Sequence, residues 1–307
     1  MSAPSAPSAP PSAPAASRAP DGARGAARAR RWRLAAGRHR AAVAGGAVTL
    51  LLALFCGVGP QLALAFGLDA TTMNFELGGA PPSWQHWFGT DPQGRDLMVR
   101  VMVGGRIALA VAALTTGIAV VIGVLWGTVA AYAGGAVDFI MMRVVDALYG
   151  LPTVALVIVA MAALGSRSLA LLFAVLAAIS WLSLARVVRA QVRGLRERPF
   201  VEAARVLGAS PARIALRHIV PNTAGIVIVY ATLALPHVML AEAFLSFLGL
   251  GMQAPLASLG TLVTEGSAQL LVYPWLLAFP GLLMAALVLS LNFLGDGLRD
   301  ALGRRSR

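Results

Sequence analysis

Residues 107–133 contain no charged side chain, and five further runs share that property: 41–68, 147–165, 168–185, 223–241 and 274–294. A helix crosses the hydrocarbon core of a bilayer in about 20 residues, so each run is long enough for one crossing. A soluble fold needs a polar surface, and these stretches offer nothing from which to build one. Hydrophobic residues make up 58% of the 307 and charged residues only 12%, against roughly 25% charged in an ordinary soluble domain. The fold class these features predict is all-α, a polytopic membrane protein with six transmembrane helices.

The charge that remains is lopsided. The formal net charge is +12, and all 25 basic residues are arginine. Such an excess suits nucleic acid when it lines a groove, but here it gathers between the apolar runs, and no nucleic-acid partner is expected. Without lysine there is no Walker A sequence and no Schiff-base nucleophile, so any ATP that drives this chain is hydrolysed on another. Placing the N-terminus in the cytoplasm puts the tail, the 138–146 link, the 186–217 loop and the C-terminus inside. Only Arg95, Arg100, Arg106 and Arg167 then fall outside, as the positive-inside rule requires. Both termini are expected to be cytoplasmic and the chain to sit in a bacterial inner membrane.

The organisation follows from these runs. Residues 1–40 read as a disordered, Ala/Pro/Ser-rich and basic cytoplasmic tail: Ser-Ala-Pro repeats lead into Arg24, Arg28, Arg30, Arg31, Arg33, Arg38 and Arg40. Residues 41–68 form the first transmembrane helix; a signal peptide is the competing reading, set aside because the run is long and further spans follow. Residues 69–106 are an outer segment. Residues 107–298 are the core of five helices, containing a cytoplasmic loop at 186–222, and 299–307 a short basic tail. The link at 165–168 predicts a tight hairpin, and Pro152, Pro236 and Pro280 predict kinks. The one cysteine, Cys56, excludes disulfides and cysteine metal sites within the chain. The histidines His39, His86, His218 and His237 lack ligand spacing, so neither a metal nor a bound cofactor is expected.

The 186–222 loop is long for a link, and its residues predict two short helices about a break. Pro199 suits a first helical turn, Glu202 the positive end of the dipole and Gly208 a C-terminal cap. Ser210 then caps a second helix with Pro211 at its first position. Glu202, Ala203 and Ala204 give one carboxylate among small side chains, a surface suited to being held in a groove.

That order, Glu-Ala-Ala, three residues, Gly, then nine residues to His218, an apolar pair and Pro, resembles the EAA loop of permease subunits of bacterial ABC importers. The matching positions are Glu202, Ala203, Ala204, Gly208, Ile219 and Pro221; His218 and Val220 depart from the commoner Ile and Leu. Gly89-Thr90-Asp91-Pro92-Gln93-Gly94-Arg95-Asp96 and the stretch from Ala241 to Gly251 resemble the C-type permease of dipeptide, oligopeptide and nickel importers. Leu259 stands where that family usually has Trp. The resemblance implies a noncatalytic translocation pore that receives solute from a binding protein at the outer face and moves it by alternating access driven by ATP hydrolysis on separate subunits. It implies four kinds of partner: a second homologous permease, two ATP-binding subunits that carry ATP and Mg, an extracytoplasmic solute-binding protein and membrane lipid. It implies that Glu202, Ala203, Ala204, Gly208 and Pro221 dock the ATPase, and it makes di- or oligopeptides the expected solute.

Other charged residues leave two readings each. Asp91, Arg95 and Asp96 form either a self-satisfied turn or a contact for binding protein or solute. Glu242, acidic and near the outer end of the fifth span, either packs against a partner helix or lines the path. Asp138, Arg143 and Asp146 read as a local structural charge set. The alternative function, a secondary transporter or channel, predicts ionisable residues at midspan or a filter segment; an intramembrane enzyme predicts a nucleophile with a base, and Ser180 and Ser183 have no histidine in their stretch.

Overall fold

The computed structural model describes residues 21–164 and 169–303. The expected Ser-Ala-Pro tail up to residue 20, the hairpin link at 165–168 and the end of the basic tail at 304–307 lie outside the described residues. Among the described residues the regular structure is all helical, with no strand and one isolated bridge between Thr90 and Asp96. The described residues up to Arg40 fall in one unit and those from Ala41 onward in another. The basic stretch 21–40, expected to be disordered, is helical, as part of α1 (Asp21–Ala65). Alanine and arginine are among the strongest helix formers, which offsets the cost of ordering a polar segment.

Among the described residues five helical stretches are long and apolar enough to cross a membrane: Ala41–Ala65 of α1; α2 (Leu97–Ala133); Phe173–Arg196 of α5 (Leu169–Arg196); the stretch Pro211–Leu250; and Trp275–Leu302 of α10 (Trp275–Gly303). The sixth expected span is not one helix. The sequence predicts a kinked crossing over 147–165 after an inner link at 138–146. Instead 135–149 is itself helical, as α3 (Gly135–Tyr149), and α4 (Thr153–Leu164) leaves it at 84°. Pro152 supplies no N–H and disfavours helical geometry at Leu151, so the helix ends there rather than bending through it. α2 also begins ten residues before the uncharged run, at Leu97, where Asp96 Oδ1 accepts from the Val99 N–H at 3.0 Å. The outer segment therefore ends at the Asp96 cap, and Arg100 and Arg106 lie inside a helix.

The 186–222 region is likewise more helical than a loop. α5 runs through Arg196 and is followed by α6 (Pro199–Val206) and α7 (Pro211–Ile214). α7 passes through a π-helical segment, Ala215–Ile219, into α8 (Val220–Leu245). The π segment answers a local difficulty: Pro221 has no N–H and its ring crowds the carbonyl four residues back. The wider turn just ahead of it lets the Val220 N–H reach back five residues to the Ala215 carbonyl. Beyond α8 the chain forms a second π segment, Ser246–Leu250, and then α9 (Leu259–Ala268).

The tightest packing joins α2 to α5. Gly123 and Gly127 lie four residues apart on one face of α2, the small-residue spacing that lets membrane helices approach closely. A Cβ on Gly127 would lie 2.5 Å from the Ala185 carbonyl oxygen and 3.0 Å from Val188 Cβ. Beneath this contact, Ala131, Leu184, Val188 and Val192 bury the inward faces of α6 and α7 at the arginine-rich end. At the opposite end Leu97, Val101, Met239, Leu259, Leu262 and Leu287 join α2, α8, α9 and α10. Leu259, fully buried, fills its place as a core residue.

Gly127→Leu is expected to cost about 1–3 kcal/mol by overpacking this seam, read as a lower melting temperature of the detergent-purified protein. Gly117→Leu, on a face of α2 with nothing within 4 Å, is expected to leave the melting temperature unchanged.

Candidate functional site

α6 is a short helix held from one side and bare on the other. Val201 and Ala204 point inward and are buried against Val188, Val192 and Ile214. Glu202, Ala203 and Arg205 point out, and Val206 and Leu207 are 83% and 86% exposed. Pro199 opens the helix as the sequence predicts. Gly208 closes it at φ +78°: its N–H reaches the Arg205 carbonyl at 2.9 Å, and the Ala209 N–H reaches the Ala204 carbonyl at 3.0 Å. This pair of bonds is the Schellman termination, and an L-residue at Gly208 would pay about 1–2 kcal/mol for the left-handed conformation. Ser210 Oγ accepts from the Arg213 N–H at 3.4 Å, with Pro211 opening α7. Ile219 is buried with Ile214 in the same cluster, while Pro221 is exposed.

Buried charge ties this platform to the spans. Asp138, in the first turn of α3, accepts from Arg189 Nε at 2.5 Å and Nη2 at 2.8 Å, and also from Arg193. Asp146 pairs with Arg186 at 2.9 Å. The expected local set of Asp138, Arg143 and Asp146 is therefore corrected: both acids reach across to α5, because α3 is a helix lying along it rather than a link. Arg143 instead stacks on the Phe139 ring at 5.1 Å. Arg196 Nη1 donates to the carbonyls of Ala131 and Tyr132, each at 3.2 Å, satisfying the open end of α2.

At the opposite end Asp91 is the hub, 1% exposed. Its Oδ1 accepts from the Gln93 and Arg95 N–H groups at 3.0 Å, and its Oδ2 from Arg95 Nε and Arg100 Nη1 at 2.6 Å. Arg100 then bridges to Glu265 of α9 at 3.0 Å. Asp96, besides capping α2, lies 2.8 Å from His86 Nδ1. Glu242 is buried between α8 and α9: Oε1 accepts from Ser246 at 2.8 Å and Ser258 at 2.6 Å, and Oε2 has no partner among the described residues. Gly260 leaves room for it, since a Cβ there would lie 3.1 Å from Oε2.

The geometry is thus a protruding, partly apolar helix at one end of an intramembrane bundle and an ion-paired knot at the other. Residues 119–307 match the family described as the binding-protein-dependent transport system inner membrane component. The oligopeptide transport system permease protein OppC of Haemophilus influenzae is 42% identical over 270 residues, covering 88% of this chain and 86% of that protein. OppC of Escherichia coli is 44% identical over 269 residues, 88% of each. The dipeptide transport system permease protein DppC of Bacillus subtilis is 40% identical over 271 residues, covering 88% of this chain and 83% of that protein. This chain belongs to that permease family.

The permease is a multi-pass inner-membrane component of an ABC transporter, of the C type. Its fold is shared with a chain of the MetNI methionine ABC transporter in an inward-facing conformation, at a TM-score of 0.56 and 20% identity, covering 67% of this chain and 97% of that one. Sequence reasoning passed over several of the permease's notable residues. Val206 and Leu207 were available as an apolar pair just before Gly208 in an otherwise basic segment. Arg189, Arg193, Arg100 and Glu265 were not, since their partners lie far along the chain.

Asp91→Ala would leave the guanidinium groups of Arg95 and Arg100 buried without their shared carboxylate. A loss of about 3–5 kcal/mol is expected, seen as a collapse in folded yield on fluorescence-detected size exclusion; Asp91→Asn, which keeps an acceptor, is expected to lose less.

Proposed function

We propose that this permease is the C-type pore subunit of a peptide importer, and that α6 with Gly208 is the helix its ATPase grips. The observation that carries the reading is the α6 surface. It is rigidly seated through Val201 and Ala204, ended sharply at Gly208, and offers Glu202, Ala203, Val206 and Leu207 to water. An exposed patch of this kind fits a partner's cleft. The peptide solute is supported by the names of the relatives, which transport oligopeptides and dipeptides.

In this reading two ATP-binding subunits hold ATP and Mg, a second homologous permease completes the pore, and an extracytoplasmic binding protein delivers solute. The arginine-rich end, with both termini, faces the cytoplasm, in line with the positive-inside rule. Closure of the ATPase pair pushes on α6. Because α6 is packed on α5, and α5 is joined to α2 at Gly127 and to α3 at Asp138, the push moves these helices as a block and alternates access. We further infer that Asp91, Arg95, Asp96 and Glu242 hold the outer end in shape, with their polar atoms turned to one another and to α9. The 1–40 and 299–307 segments are read as cytoplasmic tails outside the translocating core.

The Val206→Asp/Leu207→Asp double variant and Glu202→Ala change only exposed groups, so thermal stability is expected to shift by less than about 0.5 kcal/mol. Co-purification with the ATPase subunits and tripeptide uptake are expected to fall by about tenfold or more for the double variant, a loss of about 1.4 kcal/mol in docking. Undiminished co-purification and uptake would sink the docking assignment. For orientation, a fluorescent protein fused after Arg307, which matures only in the cytoplasm, is expected to fluoresce.

A further inference from the structure

Between α5 and α8 lies a cavity of about 580 Å³ whose wall includes Tyr149 from the end of α3, Ser180 and Ser183 from α5, and Tyr230 and His237 from α8. The remaining lining is leucine, isoleucine, valine and alanine. Its depth is fixed by its neighbours. Trp181, beside Ser180, packs with Val145 of α3 and with Ala119, near the middle of the uncharged run 107–133. The polar groups are therefore at membrane depth.

Two independent features say that this wall does not face lipid. The first is unmet hydrogen-bonding capacity. Among the described residues Ser183, Tyr230 and His237 have no hydrogen-bond partner, and His237 is exposed. Polar groups left open toward hydrocarbon are costly, so residues of this kind face a watery cavity or another protein. The second is the backbone. The 84° break between α3 and α4 leaves Leu151 and Pro152 non-helical and exposed, just beyond Tyr149 and Gly150. Irregular backbone at this depth survives only when buried in protein or lining water, and broken helices recur at solute sites in membrane transporters.

The charges nearby are already paired. Arg186 is bound to Asp146 at 2.9 Å and stacks over the Tyr149 ring at 4.4 Å, which leaves hydroxyls, an imidazole and the bent backbone to meet a passing molecule. Such a surface offers hydrogen bonds without a fixed unpaired carboxylate or guanidinium that would trap a charged end.

We infer that this cavity is this chain's share of the solute path, and that Ser183, Tyr230 and His237 make passing hydrogen bonds to the amide main chain of the solute. The inference rests on the peptide-importer reading and adds to it which wall the solute touches.

The test uses the complete importer in proteoliposomes. Cys56, the sole cysteine and a buried one, is first replaced by alanine in a variant that imports trialanine normally. Ser183→Cys and Tyr230→Cys are then compared with Ile118→Cys and Val121→Cys, which replace exposed apolar residues of α2. A membrane-impermeant methanethiosulfonate is expected to label the first pair at least about tenfold faster than the second, since the reacting thiolate is excluded from hydrocarbon. Trialanine is expected to slow that labelling. Equal rates at all four positions, in complexes that still import trialanine, would show that the cavity is not the path. Fast labelling that imported trialanine does not slow would show a water-filled crevice that the solute bypasses. If the Cys56→Ala complex and the unaltered complex both fail to import trialanine, the peptide reading itself is lost, and with it the amide solute assigned to this wall.

Discussion

Gly127 has no side chain where one would strike the Ala185 carbonyl, and so α2 and α5 run with their backbones almost touching. Much of the remainder hangs on that seam. The far end of α2 carries the Asp91 knot, and the near end of α5 carries α6, so the two helices link the ends of the bundle as one beam. Close-packed interiors transmit displacement because they have little room to absorb it. A cushion of flexible side chains between the same helices would let one end move without the other.

Buried carboxylates do the joining that hydrophobic contact cannot do inside a bilayer, where lipid tails are as apolar as leucine. Asp138 joins α3 to α5, Asp91 joins the segment before α2 to Arg100 and through it to α9, and Glu242 joins α8 to the start of α9. Asp138 takes donors from more than fifty residues along the chain, while Asp91 and Glu242 gather donors from nearer residues that lead into α2 and α9. A hydrogen bond has direction as well as strength, so these contacts set the rotation of each helix and not only its proximity.

How much could be read in advance follows from the range of each interaction. The α6 turn was fully legible: Pro199, Gly208, Ser210 and Pro211 act on their own neighbours, and the structure uses each as its local chemistry dictates. The apolar runs were legible because lipid acts on every residue alike. What failed was reading charge as punctuation. Asp138, Arg143 and Asp146 made 138–146 resemble a link, and Arg100 with Arg106 made α2 look shorter than it is. In both cases helix continues through the charges; Asp138, Asp146 and Arg100 are matched by Arg189, Arg193, Arg186 and Glu265, between 40 and 165 residues away. No local rule sees such partners. The break at Pro152 was expected as a bend, and the structure makes it a corner between two separate helices.

Val206 and Leu207 are left uncovered by the rest of the chain. Exposed apolar area is unfavourable by about 25 cal/mol per Å² relative to cover, so a grip on α6 would relieve the permease of a standing penalty as well as move it. A permease made in excess of its ATPase would keep that sticky tip uncovered, open to self-association and to the cell's quality control. If α6 is the docking helix, the same two side chains that receive force also report whether the complex has been built, and the abundance of this subunit becomes tied to that of its engine.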